Sequence, residues 1–128
     1  MSSKSFADLG VSHAVTSSLA QHGITRPFAI QRDVIADVLA GRDVLAKSPT
    51  GSGKTLAFGI PMVERIAADD PRPSALVLAP TRELATQIVE DVRGIAHARA
   101  LRVTAVYGGV GLVKQAKEAA RSHVLVAT

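Results

Sequence analysis

The sequence predicts a doubly wound α/β fold, with parallel strands and helices on both faces, and three observations carry that reading. Apolar runs of strand length alternate with stretches of helical periodicity along the chain. The run Ala75-Leu-Val-Leu-Ala79 is apolar without a break, as expected of a parallel strand buried on both faces. A glycine-rich loop over residues 48–55 lies between a short apolar run and a helical pattern, the order in which backbone amides are presented to phosphate. With 128 residues the chain is one domain or part of one.

Taken in order, Ser12 reads as the N-cap of a helix with Val15 and Leu19 on one face, closed by Gly23. A second helix is expected from Phe28 to Ala40, with Val34, Ile35, Val38 and Leu39 as its apolar stripe and Gly41 as its stop. Asp43-Val-Leu-Ala46 is the expected strand before the loop. Leu56, Ile60, Val63 and Ala67 form the stripe of the helix after it, which Pro61 should kink or interrupt. Asp69 to Pro73 is a turn whose acid pair is a solvated tip. After the strand ending at Ala79, Thr81 caps a helix with Leu84, Ile88, Val92 and Ile95 facing inward. A strand from Arg102 to Tyr107, a Gly108-Gly109 turn, a helix through Leu112, Ala116 and Ala119, and a strand from His123 to Ala127 complete the pattern. In such a sheet ligands sit at the carboxyl ends of strands, so the phosphate loop, Thr81-Arg82 and Gly108-Gly109 should share one rim.

The loop reads Ser48-Pro49-Thr50-Gly51-Ser52-Gly53-Lys54-Thr55. Gly51 and Gly53 let consecutive N–H groups turn inward and form a nest for an anion. Lys54 would reach the β- and γ-phosphates of a nucleoside triphosphate, and the Thr55 hydroxyl would ligate Mg²⁺. The usual pattern has glycine at its first place, which Ser48 holds here.

Composition removes several other chemistries. There are no cysteines, hence no disulfide, thiol nucleophile or thiolate metal site. His13, His22, His97 and His123 show no ligand spacing and are expected at the surface or at helix ends. Phe6, Phe28, Phe58 and Tyr107 are the only aromatics, too few for a base-stacking platform. The formal net charge of +4 is spread along the chain and favours a polyanion only mildly. No apolar stretch approaches the ~20 residues of a membrane span and no signal segment opens the chain, so a soluble cytoplasmic protein is expected.

Several separate motifs together resemble the amino-terminal domain of DEAD-box ATP-dependent RNA helicases. Phe6, followed further on by Gly23-Ile-Thr-Arg-Pro-Phe-Ala-Ile-Gln31, looks like the family's Q motif; the loop with Leu56-Ala-Phe58 resembles motif I. Pro80-Thr-Arg-Glu-Leu-Ala85 matches motif Ia, Gly108-Gly109 is similar to the paired-glycine motif, and Val126-Ala-Thr128 looks like the approach to motif Ib. The resemblance covers essentially the whole chain. It implies a RecA-like P-loop NTPase fold, with residues 1–41 as the Q-motif helices and residues 42–128 as an incomplete P-loop core. It further implies that Gln31 hydrogen-bonds adenine, that Phe6 stacks on it with backbone near Arg26 completing the pocket, and that residues 48–55 hold ATP and Mg²⁺. Pro80, Thr81, Arg82, Gly108, Gly109 and Thr128 would touch the sugar-phosphate backbone of RNA without reading its sequence.

Phe28 stands where the family usually has Ser or Thr, whose hydroxyl ties the Q motif to the phosphate loop, and Ser48-Pro49 replace the more usual Ala-Gln. The Asp-Glu-Ala-Asp motif does not occur, nor does any strand end in an acidic residue that could replace it. The expectation is therefore a piece of a larger helicase, cut before the motif II strand, that binds nucleotide without hydrolysing it and depends on a second RecA-like domain for its arginine finger. Strand edges left open by such a cut invite dimerisation or strand swapping. The alternatives are another P-loop NTPase, such as a DNA helicase or small kinase, and a non-enzymatic RNA-binding module. A GTPase would need an Asn-Lys-x-Asp motif, which is lacking.

Overall fold

The computed structural model describes residues 4–47, 53–108 and 111–128, and its chain forms two compact units, Met1–Arg65 and Ile66–Thr128. Ser48 to Ser52 and Gly109 of the expected site lie outside the described residues.

The first unit is helical: a 3-10 turn at Ala7–Leu9, then α1 (His13–Gln21), α2 (Ala29–Leu39) and α3 (Lys54–Glu64). Ser12 caps α1 as expected, accepting from the Val15 N–H at 3.4 Å, and Glu64 Oε1 accepts from both the Ser12 N–H (3.0 Å) and its hydroxyl (2.6 Å). The last turn of α3 is thereby fastened to the start of α1. Val15, Leu19, Val34, Ile35, Ile60 and Val63 form the core of this unit, and α2 packs along α3. Each such side chain contributes about 1.5–3 kcal/mol by leaving water.

Two expectations fail in this unit. The segment Asp43–Ala46 is not a strand: it carries no ladder, and Leu45 is fully exposed. An isolated apolar run becomes a strand only by hydrogen-bonding to a neighbour, and among the described residues the first unit has no other strand. Pro61 does not interrupt α3, which is continuous to Glu64. It stands in the last turn, so only one backbone bond is lost, and its ring is fully buried in the core. The helix ends there, which leaves Ala67 outside it and exposed.

The second unit is a parallel sheet in the order β1-β3-β2, built from β1 (Ala75–Leu78), β2 (Val103–Val106) and β3 (Val124–Ala127), with α4 (Arg82–Ala98) and α5 (Leu112–Arg121) as crossovers. The two crossovers run in opposite directions across the sheet, and right-handed connections then put them on opposite faces. Ala75, Val77, Val103, Ala105, Val124 and Val126 share one face by register. On it Val124 and Val126, at 0% exposure, meet the buried stripe of α4: Ala85, Ile88, Val89, Val92, Ile95 and Ala96. The other face is barer than expected for a strand covered on both sides, since Leu76 is 61% and Leu78 74% exposed. The reason is local: α5, on that face, packs against β2 and buries no residue of its own.

His123 departs from expectation as well. It is 2% exposed, with Nδ1 accepting from the Arg102 N–H at 3.0 Å, which leaves the proton on Nε2 to donate to the Ala68 carbonyl at 2.9 Å. A neutral imidazole with both nitrogens paired can replace backbone partners inside a core. The other three histidines are exposed: His13 opens α1, His22 caps its end and His97 lies in the last turn of α4.

Candidate nucleotide and nucleic-acid binding site

In the first unit the site is built around Gly53. It caps α3 in the left-handed region, at φ 82° and ψ 25°, and its carbonyl accepts both the helical Ala57 N–H (3.1 Å) and Gln31 Nε2 (3.2 Å). Gln31 is 1% exposed, and its Oε1 accepts from the Phe28 N–H at 2.9 Å. One side-chain amide therefore closes the first turn of α2, in the manner of the Gln half of a capping box, and grips the residue before Lys54. Phe28 has no hydroxyl to make that link; its ring leans on Gly53 instead, where an added Cβ would lie 2.7 Å from Phe28 Cδ2. Gly53 is thus pinned from two sides. Lys54 is exposed and Thr55 half-buried in the first turn of α3, where the leading N–H groups of a helix have no intrahelical acceptor.

Other expected residues fall differently. Arg26 is exposed. Phe6, expected to stack on a base, is 3% exposed and sits in the core, so in this structure its ring serves packing, while Phe28 is 59% exposed. Phe6 is held by its neighbours: the Ser5 N–H donates to Asp8 Oδ2 (2.9 Å) and the Asp8 N–H to Ser5 Oγ (3.1 Å). That bond from the Ser5 backbone holds the Asp8 carboxyl below its ordinary range.

In the second unit, Thr81, Arg82, Tyr107, Gly108 and Thr128 follow the carboxyl ends of the three strands; Ser48 to Ser52 of the phosphate loop and Gly109, expected on the same rim, lie outside the described residues. Thr81 Oγ1 caps α4 by accepting from the Leu84 N–H at 3.1 Å. The Arg82 guanidinium lies over the Tyr107 ring, 4.7 Å from its centroid, and donates to the Gly108 carbonyl. The start of α4 and the segment after β2 are therefore joined by one side chain. Gly108 is open, with nothing within 4 Å of an added Cβ, and Pro80, Arg82 and Thr128 are exposed.

Gln115 was not legible as a functional residue. From α5 its Oε1 accepts the Tyr107 N–H (3.1 Å) and its Nε2 donates to the Tyr107 carbonyl (2.9 Å). No signal marks it in a polar helix. Tyr107 was legible as an aromatic beside the glycines but not as the seat of Arg82.

A parallel α/β sheet with its polar residues gathered at the strand carboxyl ends is the arrangement of the RecA-like class. The family model described as DEAD/DEAH box helicase matches residues 28–128, and the chain belongs to that family. It is 41% identical over 124 residues to the ATP-dependent RNA helicase DbpA of Bacillus subtilis, covering 96% of this chain and 26% of that protein. It is 45% identical over 124 residues to the DEAD-box ATP-dependent RNA helicase 36 of Oryza sativa subsp. japonica, covering 96% and 25%. Among solved structures, a DEAD box protein from the hyperthermophile Methanococcus jannaschii is similar with a TM-score of 0.91 at 30% identity, over 97% of this chain and 34% of that one. A hypothetical ATP-dependent RNA helicase from Sulfolobus tokodaii is similar with a TM-score of 0.82 at 30% identity, over 91% and 34%. The chain thus spans about a quarter of the length of those curated relatives.

Proposed function

We propose that this chain is the ATP-binding and RNA-backbone-binding part of an ATP-dependent RNA helicase that unwinds or remodels RNA in its full-length form. The observation that carries this reading is the Gln31 strut, which brings the residue suited to reading adenine against the residue that precedes Lys54 and Thr55. Gln31 still has one amide N–H and one carbonyl lone pair beyond its two bonds, the pair of functions that N7 and the N6 amino group of adenine require. Lys54, exposed, is free to meet phosphate oxygens, together with the nest expected of residues 48–53. The Thr55 hydroxyl is the hard oxygen donor that Mg²⁺ takes. The ion would be shared between Thr55 and the phosphates of the nucleotide.

At the rim of the second unit, Pro80, Thr81, Arg82, Gly108 and Thr128 would follow one RNA strand by its phosphates, with Gly109 beside them. A second RecA-like domain of the parent would complete the cleft. These 128 residues alone should bind nucleotide without turning it over, because they include no Asp-Glu-Ala-Asp carboxylates to orient the ion and the attacking water. No helix among the described residues is long and apolar enough to cross a membrane.

Calorimetric titration with ATP and GTP in the presence of Mg²⁺ tests the nucleotide reading. ATP should bind more tightly than GTP, and Lys54→Ala should weaken ATP by roughly 10- to 150-fold, the loss of a hydrogen bond to a charged group, while RNA affinity holds. Equal affinity for the two nucleotides would remove the adenine role of Gln31. The RNA reading is tested by anisotropy of labelled oligonucleotides over a range of salt. Arg82→Ala should lower affinity by about tenfold alike for unrelated sequences and reduce the salt slope by about one phosphate contact. A loss confined to one sequence would contradict backbone binding.

A further inference from the structure

At the opposite end of the second unit's sheet, where the strands begin, a pocket of about 370 Å³ is lined by Arg72, Arg102, Arg121, His97, His123 and Leu101, with Ala100 at its edge. That volume lies in the range of small-ligand sites. Arg102 directly precedes β2 and His123 directly precedes β3, while Arg72 lies in the turn before β1. No carboxylate lines the pocket.

The three guanidiniums are poorly engaged. Arg72 gives Nη1 to the Arg121 carbonyl and Nη2 to the Ala68 carbonyl, both at 3.3 Å, which leaves most of its five N–H donors free. The side chains of Arg102 and Arg121 have no hydrogen bond or ion pair among the described residues. Cations placed in the last turn of a helix offset its carbonyl end, and that accounts for Arg121 in α5 and His97 in α4. It does not account for Arg72 and Arg102, which stand before strands. Gathering three like charges around one concavity is unfavourable unless an anion joins them. His123 cannot serve as a ligand, because both of its nitrogens are bonded; it forms the rigid floor on which Arg102 is carried.

We infer that this pocket is a second oxyanion site, separate from the loop at residues 48–55 and from the Arg82 rim, and that it takes a phosphate group through Arg72, Arg102 and Arg121. Planar guanidiniums matched to a tetrahedral oxyanion give paired, charge-assisted hydrogen bonds. The phosphate is either free or part of an RNA backbone, and the two sources are separable.

The test uses the 128-residue chain carrying Lys54→Ala and Arg82→Ala, which silence the two other phosphate candidates, with the arginine Nε–H signals followed by NMR. One arm adds inorganic phosphate, the other a single-stranded uridylate oligomer, and sodium chloride at matched ionic strength is the reference. Saturable shifts of the Arg72, Arg102 and Arg121 signals are expected. With phosphate alone they identify a free anion; with the oligomer only, they identify an RNA backbone. The double variant Arg102→Gln, Arg121→Gln removes no hydrogen bond seen in the structure and should melt like the parent while binding at least about tenfold more weakly. Shifts in both arms that merely follow sodium chloride, or saturable binding that survives in the double variant, overturn the site.

Discussion

Alanine in place of Gly53 is expected to abolish measurable ATP binding and to destabilise the first unit by about 2–5 kcal/mol, the sum of backbone strain and overpacking. At φ 82° an L-residue places its Cβ too close to the following carbonyl oxygen, which costs about 1–2 kcal/mol. The new methyl would also lie under 3.0 Å from Gln31 Nε2 and 2.7 Å from Phe28 Cδ2. The Gln31 end is flexible, but it moves only by giving up its bonds to the Gly53 carbonyl and the Phe28 N–H, each a net stabilisation of about 1 kcal/mol. Otherwise the start of α3 shifts, and Lys54 and Thr55 shift with it. Urea denaturation and an ATP titration of the same variant separate strain from ligand loss. A Gly53→Ala protein with the parent's midpoint and affinity would show that the contact between α2 and the start of α3 does not matter.

His123→Ala should be the most damaging single change in the second unit, at about 3–5 kcal/mol. Truncation removes two part-buried bonds, to the Arg102 N–H and the Ala68 carbonyl, each a net stabilisation of about 1 kcal/mol, and opens a cavity where the buried ring stood, between the starts of β2 and β3. Denaturation followed by amide exchange of β2 and β3 measures the loss, with His97→Ala as the exposed comparison, expected within about 0.5 kcal/mol of the parent. Equal stabilities for the two variants would mean that His123 is not the buried bridge described above.

Helix boundaries were the most legible part of the sequence because their causes are local. Ser12 and Thr81 cap through their own side chains, and Gly23 and Gly41 end helices in the left-handed region, at φ 78° and 84°. The strands of the second unit were legible because their apolar runs find each other in register. Val44–Ala46 is likewise apolar but has no ladder, and nothing within a strand's own residues says whether a partner is present. The burial of Phe6 and His123 was hidden for a related reason: an aromatic or imidazole ring reads alike from sequence whether it meets a ligand or a core. At the site, residue types were legible and their connections were not. That Gln31 would spend its amide on Phe28 and Gly53, or that Arg82 would rest on Tyr107, follows from geometry that only the folded chain defines.

Gln115 makes to Tyr107 the two bonds that a peptide group of a neighbouring strand would make, so a side chain on α5 behaves as one extra rung of the sheet. The first residue after β2 is consequently anchored from a helix rather than from a strand. Since Arg82 sits on that same tyrosine, α5 and the guanidinium share one support, and a shift of the helix that carries Tyr107 with it re-aims the Arg82 charge.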